Sequence, residues 1–148
     1  MGERVTDIDF DILREPWNKY ELGDGSILKT RYILTKIHKR VKIGETTAGY
    51  GLDSQNAIVI YNVPPNLKGE PSKQAYGSKE LETSIVQDDI RYTTISEEWN
   101  EYVAEDGTRI RLKSTVTKVS RTNKYDKNGN PRYLVQTSVL PQVKPLRE

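Results

Sequence analysis

A stretch running from Trp17 to Lys39 returns, with many of the same residues in the same order, from Trp99 to Arg121. At a constant offset of 82 these 23 positions share seven identities: Trp17/Trp99, Asn18/Asn100, Tyr20/Tyr102, Asp24/Asp106, Gly25/Gly107, Thr35/Thr117 and Lys36/Lys118. Seven further pairs keep their chemistry, among them Leu28/Ile110, Lys29/Arg111, Arg31/Lys113 and Lys39/Arg121. Upstream the match extends through Asp7/Asp89, Ile8/Ile90, Phe10/Tyr92 and Glu15/Glu97; downstream the offset becomes 76, pairing Val59/Val135, Val63/Val139 and Pro65/Pro141. That change of offset places six extra residues in one loop of the first copy. A repeat of this length is one supersecondary unit used twice, and a unit of roughly 60 residues buries too little surface to be comfortably stable alone. The expected fold class is therefore all-β and internally duplicated: two meander units packed as one pseudo-symmetric barrel or sandwich. Residues 1–63 form the first repeat, 64–82 a flexible linker rich in proline, glycine and serine, and 83–148 the second repeat with an extended C-terminal tail.

The strand reading comes from local patterning. Residues 7–13 and 89–95 are rich in β-branched and aromatic residues. Asp24-Gly25 and Asp106-Gly107 each lie between strand-like runs, a hairpin signal because these residues adopt the positive φ that the turn needs. A long strand is expected after each turn, at 26–38 and 108–120. In the second, Arg109, Arg111 and Lys113 alternate with Ile110 and Leu112, putting charges on one face and aliphatics on the other. The alternation then loses phase, which predicts a bulge near Ser114 and another around Arg31 to Ile33. The last strands are expected at 57–63 and 132–140. Only Glu97 to Tyr102 could hold a helical turn, and Gly49-Tyr50-Gly51 reads as a flexible loop. Trp17, Asp24, Gly25, Trp99, Asp106 and Gly107 are the expected structural anchors of the repeat, with both tryptophans in the core or an interface.

Composition limits the chemistry. There is no cysteine, so disulfides, thiolate nucleophiles and cysteine-ligated metal centres are excluded, and the single histidine, His38, allows at most one imidazole in a site. His38, in a basic strand end, is read as solvent-facing. No apolar run approaches the ~18 residues of a membrane-spanning helix, and the N-terminus does not read as a secretory signal, so a cytoplasmic protein without membrane partners is expected. Asp126-Lys127-Asn128-Gly129-Asn130-Pro131 opens like a calcium loop, but proline stands where that loop requires glycine, so a hairpin turn is expected. Glu15 and Glu97 are read as caps of the following turn. No nucleophile, base and oxyanion site come together, so the chain is read as non-catalytic, with no catalytic residue, metal or cofactor.

Charge is strongly segregated although the net charge is only +2. Residues 1–26 carry 3 basic and 7 acidic groups, and residues 27–42 carry 6 basic and none acidic; 80–106 has 1 against 9, and 107–148 has 10 against 2. Neighbouring acidic and basic strands would form cross-strand ion pairs. The leading functional expectation is a small interaction or assembly module that uses this segregation for docking to a protein partner or for self-association. The alternative is a nucleic-acid-binding β-barrel. It would use Lys29, Arg31, Lys36, Lys39, Arg40, Lys42, Arg109, Arg111, Lys113, Lys118 and Arg121, with tyrosines to stack on bases.

Overall fold

The computed structural model describes residues 2–45 and 47–146, and it is all-β with two antiparallel sheets of five strands. The first sheet contains β1 (Glu3–Ile8), β3 (Asn18–Leu22), β4 (Ile27–Lys42), β5 (Ala48–Tyr61) and β7 (Tyr92–Ser96). The second contains β2 (Phe10–Arg14), β6 (Ile85–Gln87), β8 (Asn100–Ala104), β9 (Arg109–Tyr125) and β10 (Pro131–Lys144). The only α-helix among the described residues is α1 (Ser78–Glu82), preceded by a 3-10 turn at Pro65–Leu67. Neither sheet closes on itself.

The segment expected as a single strand at 7–13 is bent in two, and of 89–95 only the part from Tyr92 is strand, following a separate short strand that ends at Gln87. β1 pairs with β4 in the first sheet, the chain turns at Asp9, and β2 pairs with β8 in the second. In the C-terminal half β6 pairs with β9, and β7 crosses to pair with β3. Each half therefore lends one strand to the sheet built mainly by the other. The two corners are tied alike: the carbonyl of Asp9 accepts the Glu105 amide at 2.8 Å, and that of Arg91 accepts the Gly23 amide at 2.6 Å.

The registers repeat residue for residue. Asn18 stands opposite Thr30 and Tyr20 opposite Leu28; Asn100 stands opposite Leu112 and Tyr102 opposite Ile110. Both long strands are bulged, but at Thr35 and Thr117 rather than near Ser114 or Arg31. Residues 28, 30, 32 and 34 face inward, the phase slips at the bulge, and Ile37 resumes the core; in β9 the inward set is 110, 112, 114 and 116, then Val119. Ser114 is buried in phase, so its polarity, not a bulge, breaks the apolar alternation.

Other local expectations are corrected. β4 and β9 run longer than expected, to Lys42 and Tyr125, and β5 begins at Ala48, so Gly49-Tyr50-Gly51 is strand, paired with His38 to Arg40, and not a loop. β10 continues through Lys144, taking in much of the expected tail. Residues 97–102 form no helical turn, because Asn100 onward is strand. Val59 faces Lys29 and Gln142 faces Arg111, so the last strands correspond at an offset of 83. The offset of 76 fails, and the loops of 43–47 and 126–130 have equal length. The expected turn at Asp126 does form: Oδ1 accepts the amides of Asn128 and Asn130 at 2.8 and 3.0 Å, and Gly129 has φ of 79°.

The core lies between the sheets in two clusters, and each draws on both halves. Tyr32, Leu34 and Ile37 of β4 pack with Tyr102, Ala104, Ile110 and Leu112. Tyr20, Leu22 and Leu28 pack with Ile90, Val116 and Val119. The segment before α1 lies along the β9–β10 turn: the Gly69 amide donates to the Gly129 carbonyl and the Ser72 amide to that of Asp126, both at 2.9 Å. A side chain at Gly69 would meet the Tyr125 ring at 2.3 Å, so this approach requires glycine.

Candidate docking surface

The repeated residues hold the halves together. Gly25 and Gly107 have φ of 96° and 86°, and Oδ1 of Asp24 and Asp106 accepts the amide two residues on, at 2.9 and 3.0 Å. That is the turn chemistry read from sequence. The other carboxylate oxygen reaches across to the opposite half. Asp106 accepts Lys39 Nζ at 2.7 Å and the Tyr50 hydroxyl at 2.8 Å; Asp24 accepts the Tyr133 hydroxyl at 2.7 Å and Arg121 at 3.2 Å. Burial alone would raise both carboxyls. Tyr133, Ser26 and Arg121 hold Asp24 below the usual range, and Lys39, Thr108 and Tyr50 hold Asp106 well below it. Burial, with the Asp24 charge, pushes the Tyr133 phenol up to about 12.

Glu15 and Glu97 are not caps. Glu15 accepts the Tyr102 hydroxyl at 2.7 Å and the distant Leu34 amide at 3.3 Å, and Glu97 accepts the Tyr20 hydroxyl at 2.7 Å. The Asn18 amide donates to the Ser114 carbonyl and the Asn100 amide to that of Tyr32, both at 2.9 Å. These reciprocal bonds satisfy buried polar groups that would otherwise be costly. Sequence reading missed them, although Glu15/Glu97, Asn18/Asn100 and Tyr20/Tyr102 all recur at the offset of 82; Tyr50 and Tyr133, which bond the turn aspartates, match only at 83.

Trp17 and Trp99 are half-buried and belong to neither core cluster. Each lies under cations on an outer sheet face: Lys29 and Arg31 stand 4.6 and 5.9 Å from the Trp17 ring centre, Arg111 and Lys113 4.5 and 5.9 Å from that of Trp99. Such contacts stabilise by about 0.5–1 kcal/mol each at exposed sites.

Seven of the eleven cations named for the nucleic-acid reading are ion-paired within the chain. Arg31 pairs with Glu15, Lys36 with Asp7, Lys39 with Asp106, Arg111 with Glu101, Lys118 with Asp88 and Arg121 with Asp24, at 2.7 to 3.3 Å. Arg40 is 3.9 Å from Glu3. Among the described residues the other four, Lys29, Lys42, Arg109 and Lys113, have no carboxylate partner. The cations are thus split between two faces and largely compensated, not joined in one stripe. Lys19 was not singled out in the sequence. It stands directly opposite Lys29 on the outer face, also without a carboxylate, its Nζ 5.8 Å from the Tyr61 ring centre.

His38 is not simply solvent-facing. Nδ1 is 2.7 Å from Asp7 and Nε2 2.9 Å from Asp53, so the ring ties β1, β4 and β5 together. Asp53 and then Asp7 raise its pKa. The equivalent position in β9 is Ser120, bonded to Asp88 at 2.7 Å.

The longest open features among the described residues are two strand edges. β5 and β10 each pair on one side only, with β4 and β9. At one shared register position, opposite Thr30 and Leu112, β5 carries Ile58 and β10 carries Pro141. The next residues are Val59 and Gln142. Ile58 and Val59 point to opposite sheet faces, yet both are more than 40% exposed, at 43% and 41%. A surface depression of about 480 Å³ holds Lys39, Tyr50, Asp106 and Thr108, whose polar groups already bond one another. No group of metal-ligating side chains occurs among the described residues, and no helix there is long and apolar enough to cross a membrane. The chain matches no protein-family model, and neither a curated protein nor a solved structure resembles it at a significant level.

Proposed function

We propose that this chain is a non-catalytic interaction module that docks a protein partner through the free edge of β5. The observation that carries this reading is the contrast between Ile58-Val59 and Pro141-Gln142 at one register position. An unpaired strand edge is a template for another chain, and proline is a common device for blocking it. β10 carries that device and β5 does not; the only charged residue of β5, Asp53, is engaged by His38. An added strand would gain backbone hydrogen bonds from the edge and apolar burial from Ile58 and Val59.

We also infer that the two halves are copies of one unit, packed about a pseudo-twofold axis into a barrel-like body. Matched registers, reciprocal Asp24 and Asp106 contacts and shared clusters support this. The bent pairs β1–β2 and β6–β7 each take part in both sheets, so the pairings run in a ring through β3, β4, β1–β2, β8, β9 and β6–β7.

The nucleic-acid alternative is the less favoured, because most of its cations are neutralised by their own chain. Fluorescence anisotropy of labelled single- and double-stranded oligonucleotides at about 50 and 200 mM salt separates the two. The docking reading expects no saturable binding, and saturable binding that weakens steeply with salt overturns it. Sedimentation of the wild type and Ile58→Pro over a range of concentrations shows whether the docked strand comes from a second copy, which would appear as association lost in the variant.

A further inference from the structure

We propose that the segment docked at β5 is acidic, and that its carboxylates are received by Lys19 and Lys29 on the outer face of the first sheet. The inference rests on the docking reading above and specifies the partner's chemistry. Its observation is a mismatch between two otherwise equivalent surfaces. In the second sheet Glu101 stands opposite Arg111 and lies 3.2 Å from it, beside Trp99. In the first sheet the same two positions are Lys19 and Lys29, beside Trp17. Like charges directly opposite on neighbouring strands destabilise a sheet. The two ammonium groups separate, one over Tyr61 and the other over Trp17, but among the described residues no carboxylate answers either.

The geometry places this deficit beside the open edge. Lys29 is directly opposite Val59, and Tyr61 belongs to β5. With strands about 4.8 Å apart, a residue added opposite Val59 would share the outer face with Lys29 at about 10 Å, within the joint reach of a glutamate and a lysine. Lys19 already leans across β4 to the ring of Tyr61, at the border the added strand would form. Alternate residues of that strand would face these ammonium groups, so acids are expected at every second position. The intervening residues would face inward beside Ile58, where apolar side chains fit.

The test is selection of a phage-displayed library of random twelve-residue peptides against the full chain, followed by affinity measurement on purified variants. Lys19→Glu places in the first sheet the acid–base pair that the second already has, and Lys19→Gln removes the charge alone. Ile58→Pro copies the sister edge, with Asn56→Pro as a second edge block should Ile58→Pro fail to fold by circular dichroism. The expected peptides carry Asp or Glu at alternate positions, weaken by about tenfold or more on Lys19→Glu and less on Lys19→Gln, and are lost on the proline variants. Peptides that need the β5 edge but show no acidic preference and ignore Lys19→Glu overturn this inference and leave the docking reading standing. If no peptide depends on the β5 edge, both fall.

Discussion

The two halves share a skeleton, and three of their differences lie at the surface or sheet edge. The turn aspartates, Tyr20 and Tyr102, the buried asparagines and the bulges coincide position for position, whereas Ile58-Val59, Lys19 and His38 are replaced by Pro141-Gln142, Glu101 and Ser120. The coincident residues all make contacts that cross from one half to the other or shape a turn. The differing ones lie on the outer surface and edge of the first sheet, or in the β1–β4–β5 clamp. What repeats thus serves assembly of the fold, and on the docking proposal the departures mark the side that meets a partner.

The largest effect should come from dividing the pair. Because each core cluster takes residues from both halves, residues 1–66 alone are expected to show no cooperative urea transition, and a monomeric fragment that unfolds cooperatively would refute the shared core. Within the whole chain, Tyr20→Ala and Tyr102→Ala are expected to cost about 3–5 kcal/mol each, similar to one another. Both rings are essentially fully buried and both hydroxyls reach a glutamate of the other half. Urea midpoints that place one well above the other would show that the halves do not share the load equally.

Asp24→Asn and Asp106→Asn test the reciprocal clamps. Each loses charge-assisted bonds to the opposite half, an expected cost of about 1–3 kcal/mol by urea unfolding. Both carboxyls titrate below their usual range in the folded protein. Their contribution is therefore present above the unfolded value near ~3.9 and fades as pH falls below it toward the folded values. Stability of either Asn variant should accordingly approach that of the wild type in acid.

His38 separates the halves by pH. Its folded pKa is raised, so the stability it adds is fully present below the unfolded value of about 6.5 and is lost as pH rises through the folded value. Asp7, Asp53 and Lys36 are charged groups around it. His38→Ser, the residue of the sister position, should flatten the fall in thermal midpoint above neutral pH. An unchanged profile would show that the imidazolium does not hold β1, β4 and β5 together.

Much of the skeleton was legible in the sequence, because hairpin turns and strand alternation are local. Asp-Gly announces itself through two residues, and Lys29 with Arg31 shows its outward face through spacing alone. The failures have one cause: the strand that pairs with another lies far away in sequence. Nothing near Asp9 tells that β2 leaves for the other half, and the polar Ser114 hid the true bulge at Thr117. The edge contrast depended on aligning the last strands at 83, and Val-Pro matches at 76 are the more conspicuous to the eye. The charge segregation was plain, but its meaning was not, since only the fold reveals which acid meets which base. Lys19 passed unnoticed because it lies in the acidic block before the turn.

The smallest expected effect on stability belongs to the most informative substitution. Lys19→Glu exchanges a like-charge pair for the arrangement seen at Glu101 and Arg111, on an exposed face where such pairs contribute a few tenths of a kcal/mol. It also forgoes the weak contact of Lys19 with the Tyr61 ring, 5.8 Å away, which partly offsets the gain. The thermal midpoint should therefore rise slightly at low salt, and by less at about 0.5 M salt, where the Debye length is near 4 Å. A clear fall would show that Lys19 already has a stabilising role within the chain, and the first sheet would then have no unanswered charge. A small, salt-sensitive rise would mean that the native lysine is mildly unfavourable for the isolated fold, as expected of a residue whose counter-charge arrives with a partner.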